Sequence, residues 1–259
     1  MLRKLLKYDL LSVWKSGWGT VPVMIGCTVA AIAAARVVNS TRQYASDSIE
    51  IAVIFMLGIA AFGILICGVG IAGLVFERFY KNFYTDEGYL TFTLPVKRST
   101  LLLSKTLNAA ICALIYVIAE ILCVFAFISF GNFDINLFEE IGYIFSSAYE
   151  VYGAMSYVII GELVLVALCG LFLVISLIQF AMSIGSTATK KVRTIASIGA
   201  GYAASAIVSL ILPNISGSYD WDGGAISVAL LIYALMIFTL GLALYFVTLD
   251  RLSRKLNLD

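Results

Sequence analysis

Histidine is absent from all 259 residues, and charged residues make up only 13% of the chain. Without imidazole, H-E-x-x-H zinc sites and Ser–His or Cys–His nucleophile pairs have no ligand or base to build on. The five cysteines, Cys27, Cys67, Cys112, Cys123 and Cys169, all lie inside apolar runs, and none belongs to a C-x-x-C pair. In such surroundings a thiol reads as a small buried hydrophobe. A P-loop is missing too: the fragment Gly185–Lys190 (GSTATK) does not fit G-x-x-x-x-G-K-[ST]. A G-x-G-x-x-G match at Gly68, Gly70 and Gly73 is embedded in an apolar run with no strand before it, so close helix packing accounts for it better. These absences lead us to expect no catalytic residue, no metal site and no cofactor held by this chain.

What is abundant is apolar surface. Residues of the hydrophobic classes make up 61% of the chain, and the mean hydropathy is +1.00. A soluble domain is nearer half apolar and about a quarter charged. The net charge of +1 carries no basic excess for a nucleic acid. Composition therefore points to an all-α integral membrane protein in a single transmembrane domain, residues 1–259.

Six apolar runs stand out, near residues 18–38, 51–76, 107–130, 157–185, 195–212 and 225–249. Each approaches or exceeds the roughly 20 residues a spanning helix needs. The basic residues set an orientation. Arg3, Lys4, Lys7 and Lys15 precede the first run; Arg78, Lys81, Lys97, Arg98 and Lys105 lie between or beside the second and third. Lys190, Lys191 and Arg193 separate the fourth and fifth, and Arg251, Arg254 and Lys255 follow the sixth. A six-span arrangement thus puts all but Arg36 and Arg42 on one side, with both termini in the cytoplasm. Asp47, Glu50, Asp134, Glu139, Glu140, Glu150, Asp220 and Asp222 fall on the other side.

Two segments outside the spans carry helical patterns. Residues 1–16 set Leu2, Leu5, Leu6, Leu10 and Val13 on one face among basic neighbours, as an interfacial helix held by apolar burial and anionic lipid would. The same mixing of charge and leucine argues against a secretory signal peptide. The outer segment 131–156 spaces Leu137, Ile141 and Phe145 four apart, which predicts an amphipathic cap helix at the outer interface.

The longest cytoplasmic connection, residues 77–100, reads ERFYKNFYTDEGYLTFTLPVKRST. Phe79, Tyr80, Phe83, Tyr84, Tyr89 and Phe92 are too many rings for a solvated loop, so they pack on the membrane base or on a partner. Thr85 suits a helix cap with Asp86 and Glu87 in the first turn, Pro95 ends that short helix, and Ser99 or Thr100 caps the next.

The run DEGYLTFTLPVKRSTLLLSK at Asp86–Lys105 resembles the ABC-2-type permease subunits of bacterial ABC transporters. The order of a basic interfacial helix and then six spans is similar to theirs as well. The resemblance implies a bacterial plasma-membrane protein, one of two like permeases that form the pathway of an exporter. It also implies separate ATPase subunits that bind ATP and Mg. Asp86, Glu87, Gly88, Tyr89, Leu90, Thr91 and Phe92 would then form the coupling helix that touches an ATPase subunit.

Small residues four apart, Gly26, Ala30 and Ala34 in the first span and Ser197, Gly201, Ser205 and Ser209 in the fifth, predict close helix approach. Packing within the chain is the favoured use, and a dimer face is the other. Glu120 and Glu162 are carboxylates within spans three and four, in the outer half of the membrane, where each should face protein or a wet cavity. Glu162 is expected to snorkel to the interface and Glu120 to sit deeper as a pathway or structural group. Gln179 and Asn108 are intramembrane polar residues of the inner half, suited to interhelical hydrogen bonds. Alternative readings of the whole are a non-catalytic membrane sensor or assembly subunit, and a secondary transporter.

Overall fold

The computed structural model describes residues 2–17, 20–41, 58, 73, 80, 83, 96–130, 137–186, 193–211 and 222–254. Among them there is no strand. The helices are α1 (Leu2–Gly17), α2 (Thr20–Thr41), α3 (Arg98–Phe130), α4 (Leu137–Tyr152), α5 (Met155–Gly185), α6 (Arg193–Ile211) and α7 (Gly223–Arg254). The second apolar run, 51–76, lies outside the described residues except for Gly58 and Gly73.

Three of these helices are long and apolar enough to cross a membrane: α3, α5 and α7 up to Leu252. Only 11%, 17% and 17% of their apolar windows is buried within the chain, so most of that surface needs lipid rather than water around it. In α2 and α6 the apolar stretches are shorter, Val21–Val37 and Ile195–Ser209.

Local chemistry explains where the helices start and stop. Pro22 sits in the first turn of α2, where its missing N–H costs nothing. The cap of α3 is Lys97, whose carbonyl accepts from the N–H groups of Thr100 (2.9 Å) and Leu101 (3.2 Å). The expected caps Ser99 and Thr100 lie inside the helix instead. With 33 residues, α3 begins well before the apolar run at 107. Glu139 and Glu140 in the first turn of α4 complement its dipole. Gly153 ends α4 at φ 58° and donates its N–H to Tyr149 O at 2.7 Å, a left-handed cap that glycine adopts without strain. Ser156 then donates both its N–H (3.2 Å) and its hydroxyl (2.8 Å) to Gly153 O as α5 begins.

Contacts group the chain into two compact units. The first comprises Met1–Leu6, Arg78–Ala110 and Phe145–Asp259; the second comprises Lys7–Glu77 and Ile111–Ile144.

In the first unit α5 packs along α7 and also against α6. Three contacts give the direction of α5 and α7. Glu162 meets Ser227, the Phe172 and Phe238 rings lie 5.6 Å apart, and Gly241 backs onto Phe172 and Leu173. Residue numbers rise together along both helices, so α5 and α7 run parallel. The first part of α3 runs the other way: Thr106 meets Gln179 near the end of α5, and Arg98 meets Leu252 near the end of α7. The start of α3 and the ends of α5 and α7 therefore share one level, which carries Lys97, Arg98 and Arg251. The core concentrates there, in Leu101, Leu102, Met182, Thr248 and Leu252.

In the second unit α2 buries Met24, Thr28, Ala31 and Ala35, one face of a helix at spacings of four, three and four. Arg36 Nε donates to the carbonyl of Phe130, the last residue of α3, at 2.8 Å. The C-terminal ends of α2 and α3 thus share a level.

Candidate functional site

A polar group inside an apolar helix survives only with a partner, so the site is sought where buried polar atoms meet. At the shared end of α3, α5 and α7, the Gln179 amide donates to Thr106 Oγ1 at 3.1 Å, and both residues are buried. The Thr106 hydroxyl also bonds Leu102 O at 2.9 Å in its own helix. Gln179 thus makes the interhelical bond expected of it, to a threonine the sequence did not single out. Asn108 is buried two residues on. Ser176, one turn before Gln179, is fully buried, and its Oγ has no hydrogen-bond partner among the described residues.

The other end of α5 and α7 carries the more unusual arrangement. Glu162 is 7% exposed, whereas Leu163, Val164 and Leu165 beside it are 51%, 56% and 44% exposed. Its Oε1 accepts from Ser227 Oγ of α7 at 2.5 Å, and its Oε2 is buried with no hydrogen-bond partner among the described residues. Glu162 does not snorkel to the interface as expected. Ser227, one turn into α7, holds the carboxylate against that helix. The start of α7 is tight: a Cβ on Gly223 would stand 3.3 Å from the Tyr152 ring and 3.5 Å from Met155 Cβ. Glu120, the residue expected to be deeper, belongs to the second unit and is only half-buried.

The small-residue stripes divide. In α6, Ser197 is buried and a Cβ on Gly201 would stand 3.3 Å from Ala181 Cβ, so the start of that stripe packs on α5. Ser205 and Ser209 are exposed and bond carbonyls of their own helix. In α2, Gly26 and Ala30 are exposed, Ala34 is half-buried, and nothing stands within 4 Å of a Cβ on Gly26. Packing within the chain, the favoured use of that stripe, falls instead to Met24, Thr28, Ala31 and Ala35.

The segment Asp86–Phe92 lies outside the described residues. Just before it, Phe83 is 1% exposed and Tyr80 half-buried, so these two rings pack within the chain. Arg98, the first residue of α3, donates from Nη1 to Leu252 O at 3.0 Å and satisfies a carbonyl of the last turn of α7. Arg36 does the same for α3. Comparison with family models, with curated proteins and with solved structures finds no match.

Proposed function

We propose that the chain is the transmembrane permease subunit of an ATP-driven exporter of the ABC-2 type, with ATP and Mg bound by separate ATPase subunits. The observation that carries this reading is where α3 begins. Lys97 and Arg98 stand at the level where α5 and α7 end and the basic residues gather. An acidic and aromatic stretch that in the sequence leads directly to this cationic level suits docking of a cytoplasmic ATPase.

Helix directions support six spans. Helices α2 and α3 end at one level, and the sequence between them holds the apolar run at 51–76, long enough for a return crossing. Because α5 and α7 run parallel, the chain has to return through α6. Both termini then fall on the basic side, which is the cytoplasm in a bacterial plasma membrane. The exposed Gly26 and Ala30 of α2 suit a close approach by a second permease copy or a homologous one.

The test is co-purification. In mild detergent the chain is expected to bring down an ATPase subunit, and the double substitution Tyr89→Ala, Phe92→Ala is expected to lose that subunit while still inserting. Complex yield unchanged by the substitutions would remove the coupling assignment. Consistent purification alone would count against the transporter.

A further inference from the structure

Helix α4 presents apolar and charged residues on separate sides. Phe138, Ile141, Phe145 and Tyr149 follow one another at spacings of three and four, with Ile144 beside them. Glu139, Ser146 and Glu150 mark the opposite side, with the amphipathic ring of Tyr143 among them and Glu140, Ser147 and Val151 between. The apolar side is uncovered: Phe138 is 73% exposed, Ile144 64% and Tyr149 52%.

Two ring contacts say which way that side faces. Phe138 makes an edge-on contact with Phe125 of α3, centroids 5.7 Å apart, and Tyr149 lies 6.2 Å from Tyr157 of α5. Phe125 comes shortly before the end of the apolar stretch of α3, and Tyr157 shortly after the start of that of α5. Around them Ile121, Leu122, Val158 and Leu163 are exposed as lipid-facing residues are. The apolar side of α4 is therefore continuous with the lipid-facing surface of the spanning helices, and its carboxylates face away.

We propose that α4 is a membrane-surface helix, its apolar side sunk into the leaflet opposite the basic helix ends and its Glu139 and Glu150 side in water. Its charges set it apart from α1. All ionisable groups with a formal charge on α4 are acidic, whereas α1 carries Arg3, Lys4, Lys7 and Lys15. Apolar burial holds α4, with no help from anionic lipid. This inference rests on the membrane character of the chain and is independent of the ATP-driven reading.

The experiment is nitroxide accessibility on the full chain in phosphatidylcholine vesicles, with the native cysteines replaced by alanine. Labels at Ile141→Cys and Phe145→Cys are expected about 5–10 Å below the phosphates, accessible to oxygen and shielded from a water-soluble nickel chelate. Labels at Glu139→Cys and Glu150→Cys are expected to show the reverse. Adding phosphatidylglycerol is expected to leave the depth unchanged or make it shallower. Nickel access equal on both sides would put α4 in water and overturn the proposal. Exclusion of both reagents at Ile141 would mean that a protein, such as a second copy, covers the face, and would overturn it too. Deuterium exchange of the unmodified chain in vesicles supplies a measurement free of substitutions: protection of residues 137–152 by lipid supports the proposal, and exchange as fast as in open solvent overturns it.

Discussion

Glu162 of α5 and Ser227 of α7 are joined by a hydrogen bond of 2.5 Å that leaves the second carboxylate oxygen buried without a partner among the described residues. Removing the hydroxyl leaves both oxygens unsatisfied, a loss of about 1–3 kcal/mol. Ser227→Ala is therefore expected to lower the melting temperature of the purified protein by several degrees. Glu162→Leu is expected to be neutral or stabilising, because an apolar side chain needs no partner there. The serine can then turn back to a carbonyl of its own helix, as Thr248 does to Leu244 at 2.8 Å. In the Glu162→Leu background the serine substitution should be nearly silent. An equal cost in both backgrounds would show that the bond contributes nothing.

Two arginines cap helices other than their own, Arg36 on the end of α3 and Arg98 on the end of α7. A cation near a helix C-terminus stabilises by about 0.3–1 kcal/mol at an exposed site, and up to about 2 when partly buried. Arg36→Gln is expected to speed deuterium exchange in the last turn of α3, and Arg98→Gln in the last turn of α7, each leaving the other helix unchanged. Lysine at either position should restore part of the protection, since it keeps the charge but not the fixed N–H direction. Exchange unaltered by both glutamine variants would rule out the caps.

Gly241 and Gly26 are expected to respond oppositely to a methyl group. A Cβ on Gly241 would stand 2.8 Å from Phe172 Cδ1 and 3.4 Å from Leu173 Cα, so the Phe172 ring would have to give way between α5 and α7. Overpacking of this kind costs typically 1–3 kcal/mol. Gly26→Ala meets nothing within 4 Å and, inside a helix, should stabilise by about 0.5–1 kcal/mol. If the open stripe of α2 receives a second permease, Gly26→Leu will abolish cross-linking between copies while each copy still folds. Thermal melts paired with cross-linking yield check both halves.

The helices were legible where spacing was the signal. The four-residue repeat of Leu137, Ile141 and Phe145 foretold α4, and the apolar runs foretold α2, α3, α5, α6 and α7 within a few residues, apart from the long base of α3. Burial was not legible, because it depends on which residue lies across the gap. Distance along the chain suggested that Glu162 would reach the interface, yet Ser227, 65 residues away, holds it against α7. In α2 the series Gly26, Ala30, Ala34 and the series Met24, Thr28, Ala31, Ala35 both fit a helical face. Only the packing shows that the second is covered.

The shared levels of the helix ends translate into a labelling pattern. Lys97 is exposed at the start of α3, at the level of Leu252, and Glu150 is exposed on α4, which follows the opposite end of α3. Positive charge is retained on the cytoplasmic side, so the level bearing Lys97, Arg98 and Arg251 should face inward. In a cysteine-free background, Glu150→Cys is expected to react with a membrane-impermeant maleimide added to intact cells. Lys97→Cys is expected to react only after the membrane is opened. Reaction of both from outside would break the link between the α3 crossing and the basic level, and the reverse pattern would invert the orientation while keeping the crossing.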